Sequence, residues 1–389
     1  MTSLRLPTEN GAMERYTLGA PTRFPDRPRN HFNRIAYAAG HVVADPLSQA
    51  DPWLEPAIDW DRTLAFRHTL WDLGFGVAEA MDTAQRGMGL AWTEAQELIR
   101  RSLREAQAHG DAMIACGVGT DHLAPGPDVT LDQVIRAYEE QAEVVESLNG
   151  RMIVMSSRAL AAAAESPDDY AKVYGRLLSQ IKQPVIVHWL GEMFDPALAG
   201  YWGRSDHAQA MDVCLDVLAA NAQKVDGIKL SLLDKEKELS MRRRLPKGVR
   251  MYTGDDFNFA ELIAGDTEGY SDALLGVFDP IAPAASAALD ALAEGKEKRF
   301  HEILEPTVPL ARLIFSAPTR FYKTGVVFLA YLNGFQDHFV MVGGQESARN
   351  ILHLSELLRL ADQAGLLRDP DTVAQRMRAV LESHGITQE

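Results

Sequence analysis

The sequence predicts an α/β protein: a (β/α)8 (TIM) barrel with a C-terminal helical layer. Eight short apolar runs with strand composition recur between residues 33 and 280, and amphipathic segments with helical spacing lie between them. Strands that alternate with helices are typical of parallel strands joined by crossover helices, and eight repeats favour a closed barrel over an open sheet. After the eighth run only helical patterns follow.

The sequence divides into three parts. Residues 1–32, rich in Pro, Arg and Asn, are expected to form an arm, residues 33–280 the barrel, and residues 281–389 a helical extension packed on the barrel. The expected strands are 34–44, 74–81, 112–118, 152–155, 184–189, 225–231, 249–253 and 267–271. The expected helices include 92–108, 131–148, 168–181, 207–221, 281–294, 296–315, 320–334, 345–364 and 371–384.

The composition indicates a globular, cytoplasmic protein that acts on small molecules. The chain has 389 residues, of which 46% are hydrophobic and 24% charged, so it can bury a large core. A net charge of -15 argues against nucleic acid and anionic membrane surfaces as partners. No apolar run approaches the roughly 20 residues that span a bilayer. Two cysteines, Cys116 and Cys214, are too few for a disulfide framework.

Lys229 is the most informative residue, because it places an ammonium inside the apolar run from Val225 to Ser231. A lysine desolvated in a barrel strand loses part of its preference for the charged form, so its pKa falls toward neutrality. The free amine can then form a Schiff base with a carbonyl compound. Alternatively, Lys229 pairs with a buried carboxylate or extends from a strand end.

The candidate functional residues lie at the carboxyl ends of the expected strands, where (β/α)8 barrels carry their chemistry. These positions hold Glu79, Asp82, Thr83, Thr120, Asp121, His122, Ser156, Ser157, Arg158, His188, Trp189, Lys229, Ser231, Gly254, Asp255 and Asp256. The sequence therefore predicts that polar groups converge at one mouth of the barrel.

Several motifs occur in the order in which one known family carries them. They are Gly74, Thr83, Leu90 and Glu94 at the spacing of a Gly-Thr-Thr-Gly-Glu region, Pro184 to His188, Gly227-Ile228-Lys229, Thr253-Gly254-Asp255-Asp256, Gly265 to Ser271, and Lys323 to Gly334. Through these motifs the chain resembles the class I aldolases typified by dihydrodipicolinate synthase and N-acetylneuraminate lyase. The resemblance covers about residues 33–365.

The resemblance implies a lyase, aldolase or dehydratase in which Lys229 forms a Schiff base with a 2-oxo acid or a keto sugar acid. The iminium is itself the electron sink, so no cofactor or metal is expected. His188 stands where the family has a proton-relaying tyrosine, and with Thr83 it is expected to move the proton at a pKa nearer neutrality. We expect a homodimer or homotetramer.

Departures from the family pattern indicate a different substrate. Ala84 replaces a threonine that helps to hold the carboxylate of the 2-oxo acid, and Met193 replaces an arginine that grips the second substrate of the synthases. A true dihydrodipicolinate synthase is therefore not expected. The candidate substrate-binding residues are Asp82, Ala84, Arg158, Gly254 and Asp255, with Arg158 as a replacement carboxylate clamp.

Each candidate also has a structural alternative. Asp82 and Thr83 could cap the following helix, and one of Asp255 and Asp256 could cap the helix that starts near Phe257. His188 could be a strand-end histidine bonded to a backbone carbonyl.

Two other functions could use the same residues. A metal-dependent isomerase or aldolase acting on a sugar-like substrate would draw on hard donors at the strand ends, namely Glu79, Asp82, Asp121, His122, His188 and Asp255. No His-x-His spacing supports that set. A non-catalytic barrel that binds small molecules is the other alternative, although a buried amine is costly to keep without a use.

Overall fold

The computed structural model describes residues 2–110 and 112–387. In that part of the chain, an antiparallel hairpin precedes a closed barrel of eight parallel strands, in which each strand pairs with the next and the last pairs with the first. The hairpin consists of β1 (Ser3–Pro7) and β2 (Met13–Thr17). The barrel strands are β3 (Ala36–Ala39), β4 (Gly76–Glu79), β5 (Ile114–Val118), β6 (Arg151–Val154), β7 (Val185–Leu190), β8 (Val225–Ser231), β9 (Arg250–Thr253) and β10 (Asp272–Leu275).

Helices cross between the barrel strands and continue after the last one. Those in the barrel are α1 (Trp60–Asp72), α2 (Trp92–Ala108), α3 (Leu131–Ser147), α4 (Arg158–Ala163), α5 (Pro167–Gln180), α6 (His207–Ala220), α7 (Lys235–Arg242) and α8 (Phe259–Ala264). Those after it are α9 (Ala282–Ala293), α10 (Glu297–Leu304), α11 (Val308–Ile314), α12 (Tyr322–Leu332), α13 (Ile351–Gln363) and α14 (Pro370–Ser383). The predicted fold class, a (β/α)8 barrel followed by helices, is confirmed.

The helices begin where the sequence supplies capping side chains. Asp59 accepts the Arg62 amide at the start of α1, and Thr130 and Gln133 form a capping box at the start of α3. The buried residues of α2 recur at helical spacing, so one apolar face packs on the barrel. The barrel core and these faces form one continuous hydrophobic cluster.

The eighth strand lies later than predicted, and the expectation of a strand at 267–271 is wrong. Gly265 and Gly269 have positive φ angles, and the Asp266 carboxylate accepts the amides of Glu268 and Gly269. These residues therefore form a turn. The apolar run that follows, Asp272–Leu275, provides the strand.

Of the expected C-terminal helices, 296–315 is interrupted and 345–364 begins later than predicted. The segment 296–315 divides into α10 and α11 around a 3-10 turn at Glu305–Thr307, where Pro306 cannot donate an amide to a continuous helix. The residues 342–348 form an irregular 3-10 segment, and the helix expected over 345–364 begins at Ile351, where the Asn350 side chain accepts the His353 amide as the N-cap.

α12 brings the helical layer to the barrel mouth. All of its residues are buried, and its N-terminal end packs against the 3-10 turn Asp82–Ala84 that follows β4. The hairpin lies on the outer side of the same layer, where Arg378 donates to the Ser3 carbonyl and Arg359 to the Pro7 carbonyl. In the described residues, no helix is both long enough and apolar enough to span a membrane.

Candidate active site

Lys229 lies on β8 with its side chain enclosed at the carboxyl end of the barrel. It pairs in register with His188 on β7 and Tyr252 on β9, and it is 8% exposed. The cavity around it has about 10 Å³ accessible to the centre of a water molecule, close to the space that one water requires. The lining residues are Ala39, Met81, Asp82, Thr83, Leu190, Phe194, Lys229, Ser231, Asp256, Gly276, Phe315 and Tyr322.

Two carboxylates act on the Lys229 amine from within this cavity. Burial lowers the pKa of Lys229 from its ordinary value, and the charges of Asp256 and Asp82 oppose that shift. Burial raises the pKa of Asp256 to about 7, although Lys229 and the Val277 amide, which donates to its Oδ1 at 2.8 Å, favour the ionised form. The cavity thus places an amine with a lowered pKa beside a carboxyl group that titrates near neutrality.

Gly254 leaves the space that the Lys229 side chain occupies. A Cβ atom at Gly254 would lie 2.8 Å from Lys229 Cε and would also overlap the Ser231 hydroxyl. The predicted site residue Gly254 is therefore next to Lys229, and its contribution there is the absence of a side chain.

Thr83 and Tyr322 bring a pair of hydroxyls to the same cavity. The Thr83 Oγ1 atom lies 2.8 Å from the Tyr322 hydroxyl, and Tyr322 stacks on Phe315 with ring centroids 4.4 Å apart. Burial raises the pKa of Tyr322 well above its ordinary value, and the charge of Asp82 adds to the shift. The phenol therefore stays protonated at neutral pH. The sequence did not identify Tyr322 as a site residue. The only feature that pointed to this region was the segment 323–334, which directly follows Tyr322 and resembles part of the aldolase family's helical tail.

His188 differs from its expected state. Its Nε2 atom lies 3.1 Å from the Ser231 hydroxyl, and its Nδ1 atom is buried with no hydrogen-bond partner among the described residues. Burial and the charge of Lys229 lower the pKa of His188 well below its ordinary value. The expectation of a pKa nearer neutrality is corrected accordingly, because an enclosed imidazole beside an ammonium resists protonation.

The adjacent residues Asp255 and Asp256 face different surroundings. The Asp255 carboxylate accepts the amides of Phe257 and Asn258 and the Asn258 side chain, as a capping residue does. Asp255 is not among the residues that line the Lys229 cavity, whereas Asp256 is. Asp256 is therefore the member of the pair that faces Lys229, and substrate binding by Asp255 stays a prediction.

The turn after β4 separates Asp82 from Ala84. Asp82 lines the Lys229 cavity, and within the described residues its carboxylate accepts no capping hydrogen bond. Ala84 packs in the hydrophobic core, and its amide donates to the Met81 carbonyl at 3.0 Å. Ala84 is not among the residues that line the Lys229 cavity, so its contact with substrate stays a prediction.

A larger cavity opens outside the first, and we call it the outer cavity. Its volume is about 390 Å³, and it shares Asp82, Leu190, Phe194 and Tyr322 with the Lys229 cavity. Arg158 lies on its wall, where its Nε atom donates to the Asp195 carboxylate. The structure therefore places Arg158 in the approach to Lys229.

In the described residues, the side chains suggested as metal ligands for a metal-dependent enzyme do not form a common site. Glu79 makes a two-point ion pair with Arg67, Asp121 binds Arg86, and His122 contacts Glu140. In residues 2–110 and 112–387, no three His, Cys, Asp or Glu side chains are placed to hold a metal ion together.

The family model that matches this sequence is described as "Protein of unknown function (DUF993)", and it matches residues 4–386. The chain belongs to this family. No curated protein matches the sequence.

Solved structures similar to this DUF993 protein include dihydrodipicolinate synthases. The enzyme from Thermotoga maritima is 16% identical with a TM-score of 0.61, over 87% of this chain and 100% of that one. The enzyme from Oceanobacillus iheyensis is 17% identical with a TM-score of 0.59, over 84% and 96%. The 4-hydroxy-tetrahydrodipicolinate synthase from Methylacidiphilum fumariolicum is 13% identical with a TM-score of 0.63, over 88% and 97%. The fold implied by the sequence motifs is thereby confirmed.

Proposed function

We propose that this DUF993 protein is a Schiff-base-forming lyase, aldolase or dehydratase that acts on a carbonyl compound of the 2-oxo acid or keto sugar acid type. The observation that supports the proposal is the Lys229 amine, enclosed at the carboxyl end of the barrel with its pKa lowered by burial. A neutral amine is a nucleophile, and burial favours the neutral form of Lys229 against the opposing charges of Asp256 and Asp82.

In the proposed reaction, the neutral Lys229 amine attacks the carbonyl carbon and gives a carbinolamine. The Asp256 carboxyl, which has a pKa of about 7, donates a proton to the departing hydroxyl. Water leaves, and the C=N bond of the iminium forms while Asp256 becomes a carboxylate. The electron pair of the C–C or C–H bond that breaks next then moves toward the iminium nitrogen and gives an enamine.

Thr83 and Tyr322 are proposed to pass the proton that the enamine step releases to the Asp256 carboxylate left by the preceding step, and to return it when the enamine is protonated; all three residues line the cavity. Their hydroxyls lie 2.8 Å apart on the cavity wall, so a proton can pass between them and a bound substrate. This pair would do the work that the resemblance gave to the strand-five residue. His188, held neutral, is a positioning residue that orients the Ser231 hydroxyl.

Reductive trapping tests the proposal. The protein is incubated with borohydride and a panel of 2-oxo acids and keto sugar acids, and adducts are detected by intact mass and located by peptide mapping. We expect an adduct on Lys229 with at least one compound, and none in Lys229→Met. Lys298→Met, at a lysine whose side chain is 92% exposed, should trap like the wild type. A complete lack of adducts, or an adduct that persists in Lys229→Met, would refute the proposal.

A parallel incubation in EDTA addresses the metal-dependent alternative. The iminium mechanism uses the protonated nitrogen as its electron sink, so trapping and turnover should both survive chelation. Turnover that is lost in EDTA and restored by a divalent ion would favour the alternative.

A further inference from the structure

The outer cavity is lined by an unusual number of basic side chains for a protein with a net charge of -15. Arg86, Arg158, Arg320 and Lys323 lie on its wall, against the two carboxylates of Asp82 and Asp195. The remaining lining residues are Gly87, Met88, Leu190, Phe194, Phe321, Tyr322 and Gln345. The concentration of positive charge in a concave surface identifies the cavity as a place to look for an anionic ligand.

The four basic residues differ in how their charges are already balanced. Arg86 donates to both oxygens of Asp121, and Arg158 donates to Asp195. Arg320 and Lys323, in contrast, have no carboxylate hydrogen-bond partner within residues 2–110 and 112–387. Two cations on this wall therefore lack a counter-charge in direct contact.

Lys323 is the stronger indication, because its side chain is only 4% exposed. Its Nζ atom donates to the Arg320 carbonyl at 3.1 Å and to the Met88 sulfur at 3.2 Å, and both acceptors are neutral. Burial lowers the pKa of Lys323 to about 8, Asp82 and Asp195 oppose the shift, and Arg158 and Arg320 add to it. A buried ammonium with a donor to spare gains most from an anionic partner.

We propose that the outer cavity binds an oxyanion, a phosphate or carboxylate group, at the distal end of the carbonyl substrate captured by Lys229. Lys323 and Arg320 are the binding residues, and Arg158, positioned by Asp195, completes the set. The inference rests on the proposed function, since it assigns the far end of the same substrate. The two cavities share Asp82, Leu190, Phe194 and Tyr322, so a substrate with its carbonyl at Lys229 would extend past these side chains.

The test measures binding of inorganic phosphate and of malonate to the full-length protein by calorimetry at pH 7. The variants are Lys323→Met, which keeps the length of the side chain, and Arg320→Met, an exposed position where folding is not at risk. Lys298→Met is the matched control. We expect wild type and Lys298→Met to bind at least one of the two anions, and each cavity variant to bind it at least about tenfold more weakly, because a charge-assisted contact is lost.

The outcomes separate the anion site from the proposed function. No binding of either anion by wild type, or equal binding by wild type and both cavity variants, would overturn the anion site whatever the trapping experiment gives. Weakened binding in both cavity variants supports it, even where no adduct forms on Lys229. If phosphate binds more tightly than malonate, the distal group of the substrate is a phosphate. If malonate binds more tightly, the group is a carboxylate.

Discussion

The Tyr322 hydroxyl lies 2.8 Å from the Thr83 hydroxyl, so the first residue of α12 meets the turn after β4 at the edge of the Lys229 cavity. The helical layer therefore contributes to the candidate site as well as packing against the barrel. Tyr322 also touches both cavities, and its neighbour Lys323 faces the outer one. Tyr322 thus connects the proposed proton relay with Thr83 to the proposed anion site in the outer cavity.

Tyr322→Phe should lower turnover of the trapped compound by roughly 10²- to 10⁴-fold, the usual contribution of a positioned acid or base. Imine formation at Lys229 should persist, because the amine and Asp256 are unchanged. The measurement is kcat beside the yield of the borohydride adduct. Tyr270→Phe, at a half-exposed tyrosine, is the control.

A double-mutant cycle with Thr83→Val distinguishes a relay from independent roles. Residues that act as one unit give strongly non-additive effects, so the double variant should be little worse than either single variant. Full turnover in Tyr322→Phe would remove the phenol from the mechanism.

Gly254→Ala should reduce adduct formation at Lys229 by at least about tenfold, because overpacking beside the amine costs about 1–3 kcal/mol and displaces the side chain. The new Cβ atom would lie 2.8 Å from Lys229 Cε. Trapping is measured at a temperature where circular dichroism shows the variant folded. Gly175→Ala, in a helix with open space around the glycine, is the control and should trap normally. Normal trapping by Gly254→Ala would show that the space is not needed.

Sequence reasoning found Lys229 because one charged residue in an apolar strand is visible without knowledge of packing. It could not find Tyr322, since that residue reaches the site only through the way α12 packs on the barrel mouth. It selected Asp255, whereas Asp256 lines the Lys229 cavity, because adjacent residues of a turn point in different directions that only the backbone fixes. The barrel itself was predictable from strand and helix periodicity, whereas the turn glycines Gly265 and Gly269 displaced the last strand.

The pKa of His188 could not be predicted from the sequence either. An unperturbed imidazole titrates near ~6.5, and the sequence offers no measure of how completely the ring is enclosed. In the structure the ring is buried, so a protonated imidazole would lose its hydration, and whenever Lys229 is charged it would also face a second positive charge.

Asp256→Asn should change the pH dependence of trapping in a way that Asp255→Asn does not. Burial raises the pKa of Asp256 to about 7, so its proton-donating form is lost as the pH rises through that value. The wild-type trapping rate should therefore show a decline with a midpoint near 7, superimposed on the gain from neutral Lys229. The decline should vanish in Asp256→Asn, together with a lower rate, and remain in Asp255→Asn, whose carboxylate caps the next turn. An unchanged profile in Asp256→Asn would assign the proton donor elsewhere.

Lys323→Met should raise the free energy of unfolding at neutral pH. The pKa of Lys323 falls from 10.5 to about 8 on folding, so below pH 8 the folded state carries a buried ammonium at a cost of up to about 3 kcal/mol. The lost hydrogen bonds to the Arg320 carbonyl and Met88 sulfur offset about 1 kcal/mol of the gain. The variant should therefore be more stable than wild type by about 2 kcal/mol at pH 7.

The sign of the pH dependence follows from the same shift. Between pH 8 and 10.5 the folded protein releases the Lys323 proton before the unfolded chain does, so wild-type stability rises relative to the variant as the pH increases. The advantage of Lys323→Met should thus shrink from pH 7 to pH 9.5 in urea unfolding, while Lys298→Met matches wild type at both. Whichever of inorganic phosphate and malonate binds at pH 7 should stabilise wild type more than it stabilises Lys323→Met, because a ligand bound only by the folded state adds its binding free energy. A variant that is less stable at pH 7, or a difference that does not change with pH, would show that Lys323 is retained for packing and not for binding an anion.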